Sequence, residues 1–182
     1  MTINRKQAIT THLAATAVFL VCAGLAALAQ GYGKVRIGYC GPLKDIDSVK
    51  AAGFDYMEVR TSEVAALSDG DYEKLVLRLK ALALPVPAAY WFLPSEIKVT
   101  GPNVDKDRQR EYLRRALDRT SRLGVRLIVF GSSGARQVPE GFGTKEAFEQ
   151  LVDFGKRAGV EARSRNITNS DRASAPRGVQ HY

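Results

Sequence analysis

The chain has 182 residues, 45% of them hydrophobic and 25% charged, with a formal net charge of +8. That length suits one ordinary domain, and the balance does not fit a disordered or collagen-like chain. Scarce residues exclude more: His12 and Cys22 fall near the start, His181 is next to last, and Cys40 alone lies in the body. A zinc finger, a Cys-His protease and a Ser-His-Asp hydrolase each need residues that this body lacks.

At the N-terminus, Arg5 and Lys6 precede an apolar stretch from Leu13 to Leu28, and Ala27-Leu28-Ala29 has the small-x-small pattern of a signal-peptidase site. Residues 1–29 are therefore expected to be a secretory signal, with export to the periplasm or the medium. The apolar run is shorter than the ~20 residues of a bilayer span, and no charge cluster follows it, so no stable membrane anchor is expected after cleavage. An uncleaved anchor is the alternative. Losing Arg5 and Lys6 takes the charge from +8 to +6, and residues 160–182 hold a further +2. The remaining +4 over residues 30–159 lacks the basic stripe with aromatic platforms that nucleic acid calls for. With Cys22 removed, no intramolecular disulfide is possible.

From Lys34 the sequence alternates strand and helix. Val35–Cys40 reads as a strand, and Gly41-Pro42 opens a helix through Ile46, Val49 and Ala52 that Gly53 ends. Phe54–Val59 is a second strand. Ser68 caps a helix whose Tyr72, Leu75, Val76, Leu79 and Leu82 share one face. Pro85 and Pro87 then lead into the third strand, Ala88–Phe92. Asp105–Leu123 is a helix, charged outside with Leu113, Ala116, Leu117 and Thr120 inside, and Gly124 stops it. Its arginines, from Arg108 to Arg122, read as a solvated face paired with Glu111 and Asp118. Arg126–Phe130 is nearly all apolar, as a buried parallel strand is. Thr144 caps a last helix carrying Phe148, Leu151, Val152 and Ala158. Four such βα units mean an α/β protein with a parallel sheet and functional loops at the C-terminal strand ends. Asn166-Ile167-Thr168 leads toward a fifth strand, but residues 169–182 lose apolar periodicity and are expected to be an aberrant, disordered tail.

Three stretches carry a resemblance: Ile37-Gly38-Tyr39-Cys40-Gly41, Ala52-Gly53-Phe54-Asp55-Tyr56-Met57-Glu58, and Val129 to Arg136 followed by Val138-Pro139-Glu140-Gly141-Phe142. Residues 34–168 resemble the N-terminal half of sugar phosphate isomerase/epimerase proteins of the xylose-isomerase-like TIM-barrel superfamily, which also includes endonuclease IV. The resemblance implies a (β/α)₈ barrel, a sugar or sugar phosphate as the small-molecule partner, and a divalent manganese or magnesium ion. Two carboxylates and the cation would move a proton beside a sugar carbonyl. In that family the ligands (Glu, Asp, His, Glu) come from later strands, the first within Glu-Pro-Leu-Asn; Asn169-Ser170-Asp171 stands there instead. No metal ligand can be carried over.

A whole barrel takes ~250 residues, so residues 30–168 are expected to be a half-barrel, incomplete and inactive, with its tail read from a shifted frame. Its first and fourth strands would be open edges, inviting self-association. The alternatives to an isomerase/epimerase are a non-catalytic carbohydrate-binding module and an endonuclease IV-like phosphodiesterase. Glu58, placed at the end of the second strand, is the candidate proton-transfer or substrate-orienting carboxylate, unless it simply pairs with Arg60. Cys40 lines the pocket or is a buried thiol. Tyr90 and Trp91 wall a sugar ring or pack beneath a loop. Gly131, Ser132 and Ser133 offer backbone N–H groups to a phosphate or sugar oxygen, with Arg136 to meet an anion.

Overall fold

In the computed structural model, residues 35–170 are described. The expected signal over residues 1–29 and the tail from residue 171 lie outside them. The strands are β1 (Gly38–Cys40), β2 (Tyr56–Arg60), β3 (Ala88–Tyr90), β4 (Leu127–Val129) and β5 (Thr168–Ser170). Between them run α1 (Ile46–Ala51), entered through a 3-10 turn at Leu43–Asp45, then α2 (Thr61–Ala66), α3 (Asp69–Ala81), α4 (Lys106–Arg122), α5 (Ser133–Arg136) and α6 (Thr144–Arg163).

All neighbouring strands are parallel, in the order β1-β2-β3-β4-β5. A right-handed crossover that always steps to the next strand in the same direction leaves every helix on one face of the sheet. The strand side chains obey this. Met57, Val59, Ala89 and Ile128 are fully buried in the core that the helices complete. Cys40, Glu58, Arg60, Tyr90, Leu127 and Val129 point to the other face, which no helix of the described residues covers. A bare face opposite a single helical layer is the arrangement of part of a closed barrel, not of a doubly wound sheet.

The expected fold class therefore holds, and the sheet is one strand wider than the four units expected. β5 pairs with β4 through Leu127↔Thr168, Ile128↔Asn169 and Val129↔Ser170, so residues 169 and 170 belong to the sheet and not to a tail. The open edges among the described strands are β1 and β5, not β1 and β4. β1 is shorter than expected because the Asp55 carboxylate takes the Ile37 N–H at 2.8 Å before the ladder starts.

Several helix faces also differ. The buried side of α6 is Ala147, Phe154, Ala158 and Ala162, whereas Phe148 is 65% exposed and Val152 37%. Phe154 sets that rotation by packing with Phe92 and Phe130, whose ring centroids lie 6.4 and 5.5 Å away. Gly143, not Thr144, occupies the N-cap. On α4, Arg119 is not on a solvated face: it is 6% exposed, and its Nη1 donates to the carbonyls of Val64 and Ala65 at 3.1 Å and of Leu67 at 2.7 Å. Those are the carbonyls that the end of α2 leaves unbonded, so Arg119 caps a helix that the sequence reading did not include. Arg122 pairs with Glu73 and Arg114 with Glu161, across helices and not along α4. No helix of the described residues is long and apolar enough to cross a membrane.

Candidate functional site

The C-terminal ends of β2, β3 and β4 meet around a cleft of about 530 Å³. Arg60 closes β2, Trp91 follows β3, and Gly131, Ser133 and Gly134 line the turn after β4; Ser62, Ser95 and Glu96 supply further polar groups. A second lobe of about 520 Å³ shares Arg60, Ser62, Pro94 and Glu96 and extends to Glu63 and Arg108. Parallel strands deliver their successive loops to the same end, which is why residues from three βα units converge here.

Trp91 is the most distinctive wall. It is 48% exposed, and its φ of 49° is left-handed, a conformation that costs a bulky L-residue of order 1–3 kcal/mol. Its carbonyl accepts from the Ser62 N–H at 3.3 Å, which ties the loop after β3 to the start of α2. The Arg60 guanidinium lies 4.9 Å from the Trp91 ring, and its Nε donates to the Tyr90 hydroxyl at 3.0 Å. That hydrogen bond raises the Arg60 pKa further above its ordinary value, so the side chain stays cationic.

The expected site residues divide. Trp91, Gly131 and Ser133 line the cleft, and Tyr90 flanks it through Arg60. Glu58 is one pleat below the end of β2, not at the end, because the strand runs on to Arg60. It stands on the open face, in register with Cys40 and Ala88. Among the described residues it makes no ion pair with Arg60, which turns to Tyr90 and Trp91 instead. Cys40 is free and exposed rather than a buried thiol. Partial desolvation and then the charge of Glu58 push its pKa up, while a contact from Tyr90 acts in the opposite sense. Cys40, Glu58 and Tyr90 thus form one cluster on the bare face, below the cleft.

Two of the expected residues stand elsewhere. The Ser132 side chain is buried, and its Oγ accepts from the Leu93 N–H at 2.7 Å, so the hydroxyl holds the loop after β3, and Ser132 is not among the residues that line the cleft. Arg136 is turned away from the cleft, with its guanidinium 5.2 Å from the Phe130 ring, because α5 winds it toward the aromatic core. Sequence reasoning missed Arg60, Ser62, Ser95 and Glu96. The signal for Arg60 was available, since period-two alternation puts it on the same face as Glu58. Ser62, Ser95 and Glu96 sit on irregular or short segments that carry no periodicity.

Among the described residues, no three His, Cys, Asp or Glu side chains come together in a way that could hold a metal ion. Glu58 is the one carboxylate on the open face of the described strands, and it has no second carboxylate or imidazole beside it. The residues present therefore do not by themselves fit a catalytic divalent cation.

The family model of the xylose isomerase-like TIM barrel matches residues 46–173. Among solved structures, D-allulose 3-epimerase from Methylomonas sp., in complex with D-allulose, has a TM-score of 0.60 at 20% identity, covering 75% of this chain and 51% of that one. The 3-keto-D-glucoside 4-epimerase YcjR from E. coli, in its apo form, has a TM-score of 0.56 at 15% identity, covering 76% of this chain and 56% of that one. A xylose isomerase domain protein from Planctomyces limnophilus has a TM-score of 0.56 at 12% identity, covering 74% and 52%. The chain spans about half the length of these structures, and at such identities the likeness concerns the fold. No curated protein matches the chain at a significant level.

Proposed function

The chain belongs to the xylose isomerase-like TIM-barrel family, and from that premise we propose that its cleft is the sugar-cradling part of an isomerase/epimerase-type site. The observation that carries the reading is the position and lining of the cleft. It lies where loops converge at the C-terminal ends of parallel strands, walled by an exposed indole and furnished with serine hydroxyls and a fixed guanidinium. An indole face covers the C–H side of a sugar ring while hydroxyls and charged groups take its oxygens, the mix of apolar wall and few convergent polar groups typical of small-molecule sites.

In this reading the described residues bind and orient; they do not turn the sugar over. Moving a proton beside a carbonyl needs a base, an acid and charge stabilisation of the enediolate. Glu58 supplies one carboxylate, and the divalent cation expected of the family would have to be held by strands beyond β5. The described residues hold the substrate wall, and no metal-holding group stands among them. Export, read from the N-terminal leader, belongs to the same proposal.

The test is a thermal shift with D-allulose or D-fructose, the sugars present with two of the similar structures. A saturable rise in Tm is expected by mass action on the folded state, and Trp91→Ala should abolish it. Calorimetry with manganese should show no stoichiometric binding; tight one-to-one binding would overturn the non-catalytic part of the reading, and no sugar-induced shift would overturn the whole.

A further inference from the structure

We propose that Arg60 is an anion anchor and that the cleft selects a sugar-sized polyol bearing a carboxylate over its neutral counterpart. This rests on the carbohydrate reading of the cleft and narrows it to a substrate class.

A guanidinium has five N–H donors in one plane. In Arg60 the Nε–H is spent on Tyr90, and the ring of Trp91 lies against the guanidinium, 4.9 Å from its carbon. Among the described residues, the two terminal nitrogens have no hydrogen-bond partner and no carboxylate in ion-pair reach. Among the described residues Arg78 pairs with Asp47, Arg122 with Glu73, and Arg165 with Asp118 and Glu161, whereas Arg60, like Arg108, is in no ion pair and lines the cleft. Arg60 is unpaired although Glu58 stands two residues away on the same strand face. Its Nε is held by Tyr90, its guanidinium carbon lies over the Trp91 ring, and Arg60 lines both lobes of the cleft. A planar fork held by Tyr90 beside an indole, with its terminal nitrogens free of a carboxylate among the described residues, suits a ligand carboxylate bound by two hydrogen bonds.

The surrounding charges favour one negative charge over two. Arg60 and Arg108 on the joined lobes are matched by Glu63 and Glu96, and Glu58 lies just below. A carboxylate meets the fork with little added repulsion, whereas a phosphate dianion faces three nearby carboxylates. The Glu63 carboxylate is held on the Leu43 N–H at 3.1 Å, so it is not poised to close onto Arg60. Ser62, Ser95 and Ser133 remain for the hydroxyls of the polyol.

Trp91 is the chain's only tryptophan, so its fluorescence reports directly on the group that Arg60 stacks against. The full chain is titrated with D-gluconate, D-glucose and D-glucose 6-phosphate. Gluconate should bind about tenfold more tightly than glucose, with the phosphate ester weaker than gluconate, and added salt should weaken gluconate but leave glucose unchanged. Arg60→Gln should bring gluconate down to the glucose affinity. Arg60→Lys, which keeps the stem and the charge, should recover only part because it has no fork; melting curves of both variants check that they fold. Equal affinity for gluconate and glucose, tighter binding of the phosphate ester, or unchanged gluconate binding by a folded Arg60→Gln variant would overturn the proposal. Glucose binding without any preference for gluconate would sink the anion anchor and spare the carbohydrate reading. No response to any of the three would sink both.

Discussion

Arg119 shows how one side chain organises its surroundings. The end of α2 leaves carbonyls that need donors, and burial beneath α4 keeps water from supplying them. Arg119 supplies three hydrogen bonds from one nitrogen and stacks 4.9 Å from the Tyr72 ring. Its bond to Asp69 is secondary, because the Asp69 side chain is 95% exposed and solvent screens the pair. Replacing Arg119 with Met should thus cost about 2–4 kcal/mol through the orphaned carbonyls. Asp69→Asn should cost less than about 1 kcal/mol. Urea denaturation of both variants checks the contrast; equal losses would mean that the ion pair, not the capping, is the stabilising contact. Arg119 sits in a run of arginines that reads as solvated, and nothing local marks it as different. What distinguishes it is the end of another helix.

At the scale of elements, the turns were the most legible feature. Gly53 and Gly124 follow α1 and α4 with φ of 81° and 92°, as expected of glycines that end helices. After α4, the Gly124 N–H donates to Ser121 O at 3.0 Å and the Val125 N–H to Thr120 O at 3.1 Å, closing the helix with paired bonds. After α3 the same pattern uses Ala83 at φ 46°, where no glycine announces it. A Cβ at Gly124 would meet nothing within 4 Å, so Gly124→Ala should lose stability by backbone strain alone, about 1 kcal/mol. Ala83→Gly should gain up to about 1 kcal/mol by the reverse argument. Opposite shifts in the denaturation midpoint at unchanged slope are the expected result, and a loss in both would refute it. The missed element, α2, is short, and Thr61 and Ser62 at its start carry weak helical preference; it forms because Val64 and Ala65 are buried against α4. α6 was legible as a helix but not in its rotation, since both Phe148 and Phe154 offered an aromatic for the core and only packing chose Phe154.

At the scale of the molecule, the sequential strand order leaves a bare sheet face and two bare edges among the described strands. Leu127 is 37% exposed on that face, and Ile37, just before β1, is 61% exposed. Unpaired parallel edges with apolar side chains beside them invite further strands, from a second copy or from a complementary partner. Concentration-dependent association in sedimentation velocity is the expected behaviour, and Ile37→Lys combined with Leu127→Glu should reduce it. A strictly monomeric chain up to about 100 μM would count against edge-driven association, since weak contacts of this kind have Kd values on the order of μM to mM.

The alternation of apolar runs with helical periods determined by itself that this is a βα protein with a parallel sheet, because strand and helix periods are local properties of the chain. The same local signals placed Trp91, Tyr90 and the glycine-rich turn near the C-terminal strand ends. Only the tertiary structure decided that Arg60 enters the cleft while Arg136 leaves it, that Ser132 holds a loop and that Thr168–Ser170 completes a fifth strand. Most of those outcomes depend on partners tens of residues away: Tyr90 for Arg60, Leu93 for Ser132 and β4 for β5; Arg136 turns to Phe130, six residues before it, through the winding of α5. A side chain's type limits what it can bond to, but which donor or ring stands within reach is set by how separate elements pack.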